Sequence, residues 1–360
     1  MKPIKHMTLF LTTNCNLVCD YCFCGRKFKE SMNEQIGRDA IKMFLETTHN
    51  LKKRYITFFG GEPTLEWDLM MNITKYIREN WGQKIGLSMT TNGTLLTSAR
   101  ISQLQKNNIQ VMLSLDGCEE THNMNRKFAN GKGSWEVICK NFKELIQYNA
   151  PVRLTFTPTN VHKLADNINE LIYIGFNRIA FYPACGPEWT EESVEIFYDR
   201  MRQIGKVYYE SFMNKNPISL HWFDKSIKSH IFGSGGKCTP GVTQISVDPK
   251  GDIHPCNRVN FADPEYNLGN IYNGINEIVV KELEEQLFKE DPECDECSLK
   301  NRCSACPMEM LVYNKELWKV PAYFCAMNQF IIIEADKIAV KLYSAANEEF
   351  MRTFYPEKAF

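Results

Sequence analysis

The stretch Thr8-Leu9-Phe10-Leu11-Thr12-Thr13-Asn14-Cys15-Asn16-Leu17-Val18-Cys19-Asp20-Tyr21-Cys22 carries an apolar run straight into three cysteines spaced Cys-x3-Cys-x2-Cys. The run reads as a β-strand over 8–13, with the cysteines on a compact loop at its C-terminal end. Working outward, further β-rich runs cover 54–59, 86–91, 110–115, 152–157 and 178–182. Helical patterns separate them, such as 33–47 with Ile36, Ala40, Ile41, Phe44 and Leu45 in phase, and 135–148 with Val137, Ile138, Phe142, Leu145 and Ile146. Six βα units predict an α/β fold with a parallel sheet, because parallel neighbours need right-handed crossover connections. They make a partial (β/α)6 barrel; an open doubly wound sheet fits the same rhythm. In either architecture the chemistry belongs at the C-terminal strand ends. There stand Asn14 and Cys15, Gly60-Gly61-Glu62-Pro63, Asn92-Gly93, Asp116-Gly117 and Cys185.

Composition narrows the function classes. With 360 residues, 44% hydrophobic and 24% charged, the chain fills one large core or two modest ones, which excludes disordered and collagen-like classes. Forty-two Lys and Arg against 43 Asp and Glu give a net charge of -1, no general ground for binding nucleic acid or an anionic membrane. No signal-peptide core leads the chain and no run approaches the roughly 20 apolar residues of a membrane span, so a cytoplasmic protein is expected. Fourteen cysteines fall short of the about 8–10% of a disulfide scaffold and are clustered, which points to metal.

After residue 214 the βα rhythm stops. Residues 233–241 and 248–256 are rich in turns and poor in apolar periodicity, so metal crosslinks are expected to substitute for core. The expected division is 1–214 as the barrel, 215–232 as a bridge, 233–330 as a cysteine-bound domain, and 331–360 as a C-terminal helix and tail, the helical pattern itself spanning 328–350. No internal repeat interrupts this plan.

Three thiolates on one loop, followed by Gly25 and the basic pair Arg26-Lys27, can hold three corners of an iron-sulfur cube and leave one iron open to substrate. Structural zinc wants four closed ligands, which Cys24 would complete. The Cys-x3-Cys-x2-Cys loop after the first strand of a six-unit barrel resembles the radical S-adenosylmethionine (SAM) superfamily. Tyr21 matches the family's aromatic residue near the adenine. Gly60-Gly61-Glu62-Pro63 resembles the motif that receives the methionine amino group, with Glu62 offering charge to the ammonium and the glycines allowing close backbone approach. Thr90-Thr91-Asn92-Gly93 and Ser114-Leu115-Asp116-Gly117 are similar to the elements flanking the ribose and carboxylate, which makes Asn92, Ser114 and Asp116 candidate cofactor contacts. Each is also an ordinary turn signal. Arg126, in His122-Asn123-Met124-Asn125-Arg126, resembles a region of peptide-modifying members and could pair a carboxylate; a plain surface arginine is the alternative. The resemblance implies that the open iron chelates SAM, that an electron cleaves the sulfonium, and that a 5'-deoxyadenosyl radical abstracts a substrate hydrogen.

Seven more cysteines follow, as Cys238-x12-Gly251-x4-Cys256, Cys294-x2-Cys297-x5-Cys303-x2-Cys306 and then Cys325. The tight block alone reads equally as a zinc knuckle. The whole array resembles the SPASM domain of radical SAM peptide modifiers, which implies two auxiliary 4Fe-4S clusters and three clusters in all. The family's interleaved ligation implies Cys238, Cys256 and Cys306 for the first and Cys294, Cys297, Cys303 and Cys325 for the second. Residues 225–237 lack the cysteine that closes the first site in some members, which leaves that iron open. Cys24, Cys118, Cys139 and Cys185 remain outside the clusters. Cys139 falls within a helical pattern and is expected in the core. Cys185, at the catalytic edge, is the candidate hydrogen donor or further cluster ligand.

The resemblance implies an enzyme acting on a ribosomally made precursor peptide, with a flavodoxin- or ferredoxin-type reductant. A thioether crosslink is the first expectation, since an open auxiliary iron suits a substrate thiolate. Sulfatase maturation is the second. Those members carry Asp after the cysteine matching Cys256, where this chain has Asn257, which cannot take a proton near neutral pH. Peptide epimerisation, with Cys185 as donor, and carbon-carbon crosslinking use the same parts. From another class, a three-cluster electron carrier or zinc-stapled binding module would not need Gly60-Gly61-Glu62-Pro63. Only six residues precede Met7, so leader recognition is expected from the barrel, the bridge or a separate protein, with Trp189, Trp222 and the acids of 188–195 as a candidate surface; helix capping is the other reading for the acids.

Overall fold

The computed structural model describes residues 3–24, 29–48, 51–233, 235–236, 238–259 and 266–356. The pair Arg26-Lys27, with Gly25, lies outside them. In chain order the strands are β1 (His6–Thr12), β2 (Leu17–Cys19), β3 (Arg54–Gly60), β4 (Ile85–Thr91), β5 (Ile109–Ser114), β6 (Arg126–Phe128), β7 (Val152–Phe156), β8 (Arg178–Pro183), β9 (Ser219–Leu220), β10 (Gln244–Val247), β11 (Asp252–His254), β12 (Gly269–Asn270) and β13 (Gly274–Ile275). The six strands expected from the sequence are β1, β3, β4, β5, β7 and β8. The chain divides into two compact units.

The first unit comprises Met1–Ser114, Asn123–Ala150 and Thr239–Lys289. Its sheet runs β13-β12-β11-β10-β1-β3-β4-β5. From β10 to β5 every pairing is parallel, and β11 to β13 form an antiparallel fringe. β1, between β3 and β10, reads as a continuous hydrophobic run because both its faces are covered: Met7, Leu9, Phe10 and Leu11 are all buried. β3 and β4 instead alternate. Ile56, Phe58, Leu87 and Met89 are buried on one face. On the other, hydroxyls form a ladder in which His6 Nε2 meets Thr57 Oγ1 at 2.7 Å and Thr57 Oγ1 meets Ser88 Oγ at 2.7 Å.

The helix Glu34–Thr47 starts where Asn33 Oδ1 accepts the Ile36 N–H, and it buries Ala40, Ile41, Phe44 and Leu45 as its periodicity requires. The helical pattern of 135–148 breaks into Trp135–Ile138, a tight turn, and Phe142–Gln147. At the break the Cys139 thiol is half-buried and donates to the Glu136 carbonyl at 3.3 Å, so it is not the core residue expected. A second correction concerns the turn-rich stretch after residue 238. Its short strands continue the main sheet beside β1 and bury Val242, Ile245, Val247, Ile253 and Leu268, so apolar burial in the first unit's core helps hold this part.

The second unit comprises Leu115–His122, Pro151–Cys238 and Glu290–Phe360. β7, β8 and β9 pair in parallel. Helices Glu191–Met213, His221–Phe232 and Ala322–Ser344 pack with them around an aromatic core. Phe156 stacks on Phe197, and Trp189 stacks on Tyr323. Trp189 is 8% exposed and Trp222 2%, which removes both from any leader-binding surface. Glu191 and Glu192 fill the first turn of a helix capped by Thr190 Oγ1, the role that opposes the helix dipole. The C-terminal helical pattern forms Ala322–Ser344 and Glu348–Phe354. Among the described residues no helix is long and apolar enough to cross a membrane.

Candidate active site

A register shift between β1 and β3, from Phe10↔Phe59 to Thr12↔Gly60, brings the two strand ends together. Gly61 N–H donates to the Thr12 carbonyl at 2.8 Å and Glu62 N–H to the Asn14 carbonyl at 2.9 Å. A Cβ on Gly61 would lie 2.3 Å from the Asn14 oxygen, and one on Gly60, at φ +154°, 2.4 Å from the Thr12 oxygen. The glycines therefore admit the backbone that leads into Cys15. The close backbone approach that the glycines allow is visible here between the two strand ends.

Glu62 is 1% exposed, and its carboxylate takes four internal hydrogen bonds. Oε1 accepts from the Thr64 N–H (3.1 Å), the Thr64 hydroxyl (2.6 Å) and the Thr91 hydroxyl (2.7 Å), and Oε2 accepts from the Asn92 N–H (2.7 Å). Burial pushes this carboxyl above its ordinary value despite the four donors, which pull it down. With about two lone pairs per oxygen, only Oε2 keeps capacity for a further donor. The side chain rivets the end of β3 to that of β4. Pro63 begins a short 3-10 turn and is buried.

The Asn92 side chain is also engaged. Its Oδ1 accepts from the Thr94 N–H and hydroxyl, and its Nδ2 donates to Asn16 Oδ1 at 2.9 Å and lies 3.9 Å from Cys15 Sγ. Leu17 N–H donates to the same sulfur at 3.4 Å, and a tight turn links Cys22 N–H to the Cys19 carbonyl. Across the β2–β6 ribbon Cys19 faces Arg126, whose guanidinium sits 5.3 Å over the Tyr21 ring. Arg126 is buried, so the surface reading fails. Two contacts escaped the sequence reading: Phe23 stacks on Phe59, and Arg258 lies 5.3 Å over Phe23. Nothing in the spacing around Cys256 marks Arg258.

Ser114 ends β5, half-buried. In the second unit Asp116 is fully buried; its Oδ1 accepts from Thr155 N–H at 3.0 Å and its own N–H donates to His122 Nδ1 at 3.4 Å. Cys185 is half-buried in the turn after β8, beside Ala184, whose N–H donates to the Phe156 carbonyl.

No disulfide joins any of the fourteen cysteines. Buried Cys256 accepts the Arg258 N–H on its sulfur at 3.4 Å. In the second unit the Cys294 thiol is pushed up by burial first, then by Asp291 and by the sulfurs of Cys303, Cys325 and Cys297, so these four cysteines share one neighbourhood. The Lys225 amine is lowered by burial and raised by Cys238, Cys303 and Cys306, a second neighbourhood on the same array. Among the described residues no three His, Cys, Asp or Glu side chains converge as on a single ion. A cube places each thiolate on its own iron, and N–H donors aimed at the sulfurs are what anionic cluster ligands require, so the donor set fits iron-sulfur clusters.

Residues 9–172 match the Radical SAM superfamily, and residues 238–307 match an iron-sulfur cluster-binding domain of the SPASM type. The chain is 26% identical to a cysteine-type anaerobic sulfatase-maturating enzyme of Clostridium perfringens, over 84% of this chain and 88% of that one. It is 24% identical to the antilisterial bacteriocin subtilosin biosynthesis protein AlbA of Bacillus subtilis, over 86% and 68%. The solved structure of native anSMEcpe with bound AdoMet and Cp18Cys peptide superposes with a TM-score of 0.77 at 21% identity, covering 95% of this chain and 98% of that one; at this identity the likeness speaks to the fold.

Proposed function

We propose that this chain, a radical SAM enzyme with a C-terminal SPASM domain, installs a thioether crosslink in a ribosomally made, cysteine-containing peptide. The observation that carries the choice of reaction is Asn257, next to buried Cys256. An amide there cannot act as the base that the resemblance implies for the maturases, whereas a substrate thiol that bound an open auxiliary iron would give up its proton to solvent on binding and so would not need that base. The likeness to AlbA, a bacteriocin biosynthesis protein, supports a peptide substrate.

Cys15, Cys19 and Cys22 would hold the radical cluster. Cys238, Cys256 and Cys306 would hold the first auxiliary cluster, and Cys294, Cys297, Cys303 and Cys325 the second, for three 4Fe-4S clusters. Tyr21, Gly60, Gly61, Glu62, Pro63, Asn92, Ser114 and Asp116 would line the SAM site. When bound, SAM and the clusters supply a 5'-deoxyadenosyl radical that takes a hydrogen atom from a peptide carbon, and a sink for the electron left as the thiol sheds its proton. The protein's part is to hold geometry: Glu62 fixes the strand ends, Asn92 steadies the loop of Cys15, and Arg126 orients Tyr21 or a substrate carboxylate. The barrel is assigned to 1–214 and the SPASM domain to 233–330. A flavodoxin- or ferredoxin-type protein would deliver electrons, and a separate protein could present the leader.

Sulfatase maturation is the second reading, favoured by likeness to the Clostridium perfringens enzyme along most of both chains. Hydrazide labelling separates the two. After anaerobic turnover of a cysteine peptide, an unlabelled product that also resists thiol alkylation supports the thioether; a labelled product carries the aldehyde of formylglycine and overturns it. Cys185 is a spectator in thioether formation and the donor in epimerisation.

A further inference from the structure

The helix Ala322–Ser344 supplies more than Cys325 to the neighbourhood of Cys294, Cys297, Cys303 and Cys325. Asn328 and Gln329, three and four residues on, share its face, and both amides point at sulfur. Asn328 Nδ2 donates to Cys303 Sγ at 3.2 Å and Gln329 Nε2 to Cys325 Sγ at 3.1 Å. The two differ in setting. Gln329 is exposed, whereas Asn328 is 2% exposed. The Asn328 Oδ1 accepts from the Trp222 indole N–H at 3.4 Å and the Ser304 hydroxyl at 3.5 Å. An indole nitrogen only donates, so Trp222 requires the amide oxygen on its side and turns the NH2 toward Cys303.

We infer that Asn328 is a positioning residue that tunes the second auxiliary cluster, through an N–H···S bond to Cys303 whose direction Trp222 dictates. This rests on the proposed ligand set, in which Cys303 and Cys325 bind iron. A donor aimed at a ligating sulfur stabilises the reduced, more negative cluster and so raises its reduction potential. Burial makes the Asn328 bond the larger contributor, because water replaces the amide wherever the sulfur is accessible. Their effect through Cys303 is on where the surplus electron rests.

The test is an EPR-monitored redox titration of the reconstituted full chain carrying Cys15→Ala, Cys19→Ala and Cys22→Ala, which isolates the auxiliary signals. Asn328→Leu is expected to lower the midpoint of one auxiliary signal at unchanged iron content, and Asn328→Asp to lower it further by adding charge. Trp222→Phe, which keeps the ring and the packing but frees the amide, is expected to give a smaller shift and a broadened signal, and Gln329→Leu the smallest. Unchanged midpoints in Trp222→Phe and Asn328→Leu, with iron retained, overturn the inference while leaving the ligand set standing. Iron content unaffected by Cys303→Ala would instead overturn the ligand set, and the tuning role with it.

Discussion

Around Cys15 the sheet grips the sulfur-bearing loop by its backbone, while around Cys303 a helix reaches the sulfur with side-chain amides. In the first region Gly61 and Glu62 donate their N–H groups to Thr12 and Asn14, and a buried carboxylate closes the strand ends. In the second, Asn328 and Gln329 do the work from residues well outside the cysteine block. The first arrangement forbids added volume and is legible as a motif. The second tolerates changes of shape and is written in no fixed spacing.

The largest effect that follows is at the backbone-held loop. Replacing Cys15, Cys19 and Cys22 together with Ala is expected to abolish 5'-deoxyadenosine release, measured by chromatography after reduction with SAM; persistent release would detach the loop from the chemistry. Gly61→Ala comes next. Its Cβ would stand 2.3 Å from a backbone oxygen, so the strand ends must part, at a cost of about 3 kcal/mol. Denaturant unfolding reads that loss, and iron analysis should show the radical cluster missing with the auxiliary iron retained. Retention of all iron would mean that the loop is held by its cysteines and not by β3.

A subtler probe is the pH dependence carried by Glu62. Its folded carboxyl is raised by burial, so the folded protein holds this proton more tightly than the unfolded chain. That contribution is fully present below the unfolded value and is lost as pH rises through the folded one. In Glu62→Gln the NH2 replaces one carboxylate oxygen and cannot accept from both sides, leaving a buried donor unmet at about 1–3 kcal/mol. The stability advantage of the wild type over this variant should therefore shrink as pH rises across that window; an advantage that grows would contradict the assigned direction. The smallest effect belongs to Cys139→Ala, expected within about 0.5 kcal/mol because its thiol is half-buried and makes one weak bond.

The six principal strands were legible because their residues obey the period of a buried sheet, from the unbroken run of β1 to the alternation of β4. The short strands β10 to β13 were not, since runs of two to four residues broken by Gly251, Gly269 and Gly274 carry too little periodicity to read. The glycine pair was legible for what it permits, whereas the approach of Thr12 and Asn14 was not, a contact 47 or more residues away in sequence that no local pattern announces. Trp189 and Trp222 read as surface because acids flank the first, while the core that covers them comes from helices distant in sequence. Asn328 and Gln329 left one faint signal, amides three and four residues after a cysteine in a helical pattern.

Thioether formation decides the proposed function. The direct measurement is tandem mass spectrometry of the cysteine peptide after anaerobic reaction with reduced enzyme, in ordinary and in heavy water. A thioether gives a product lighter by two hydrogens, with no deuterium gained on carbon, and fragments that stay joined across the crosslink. An unchanged mass in ordinary water with one deuterium on carbon in heavy water would contradict it, and would make the enzyme an epimerase with Cys185 as the donor.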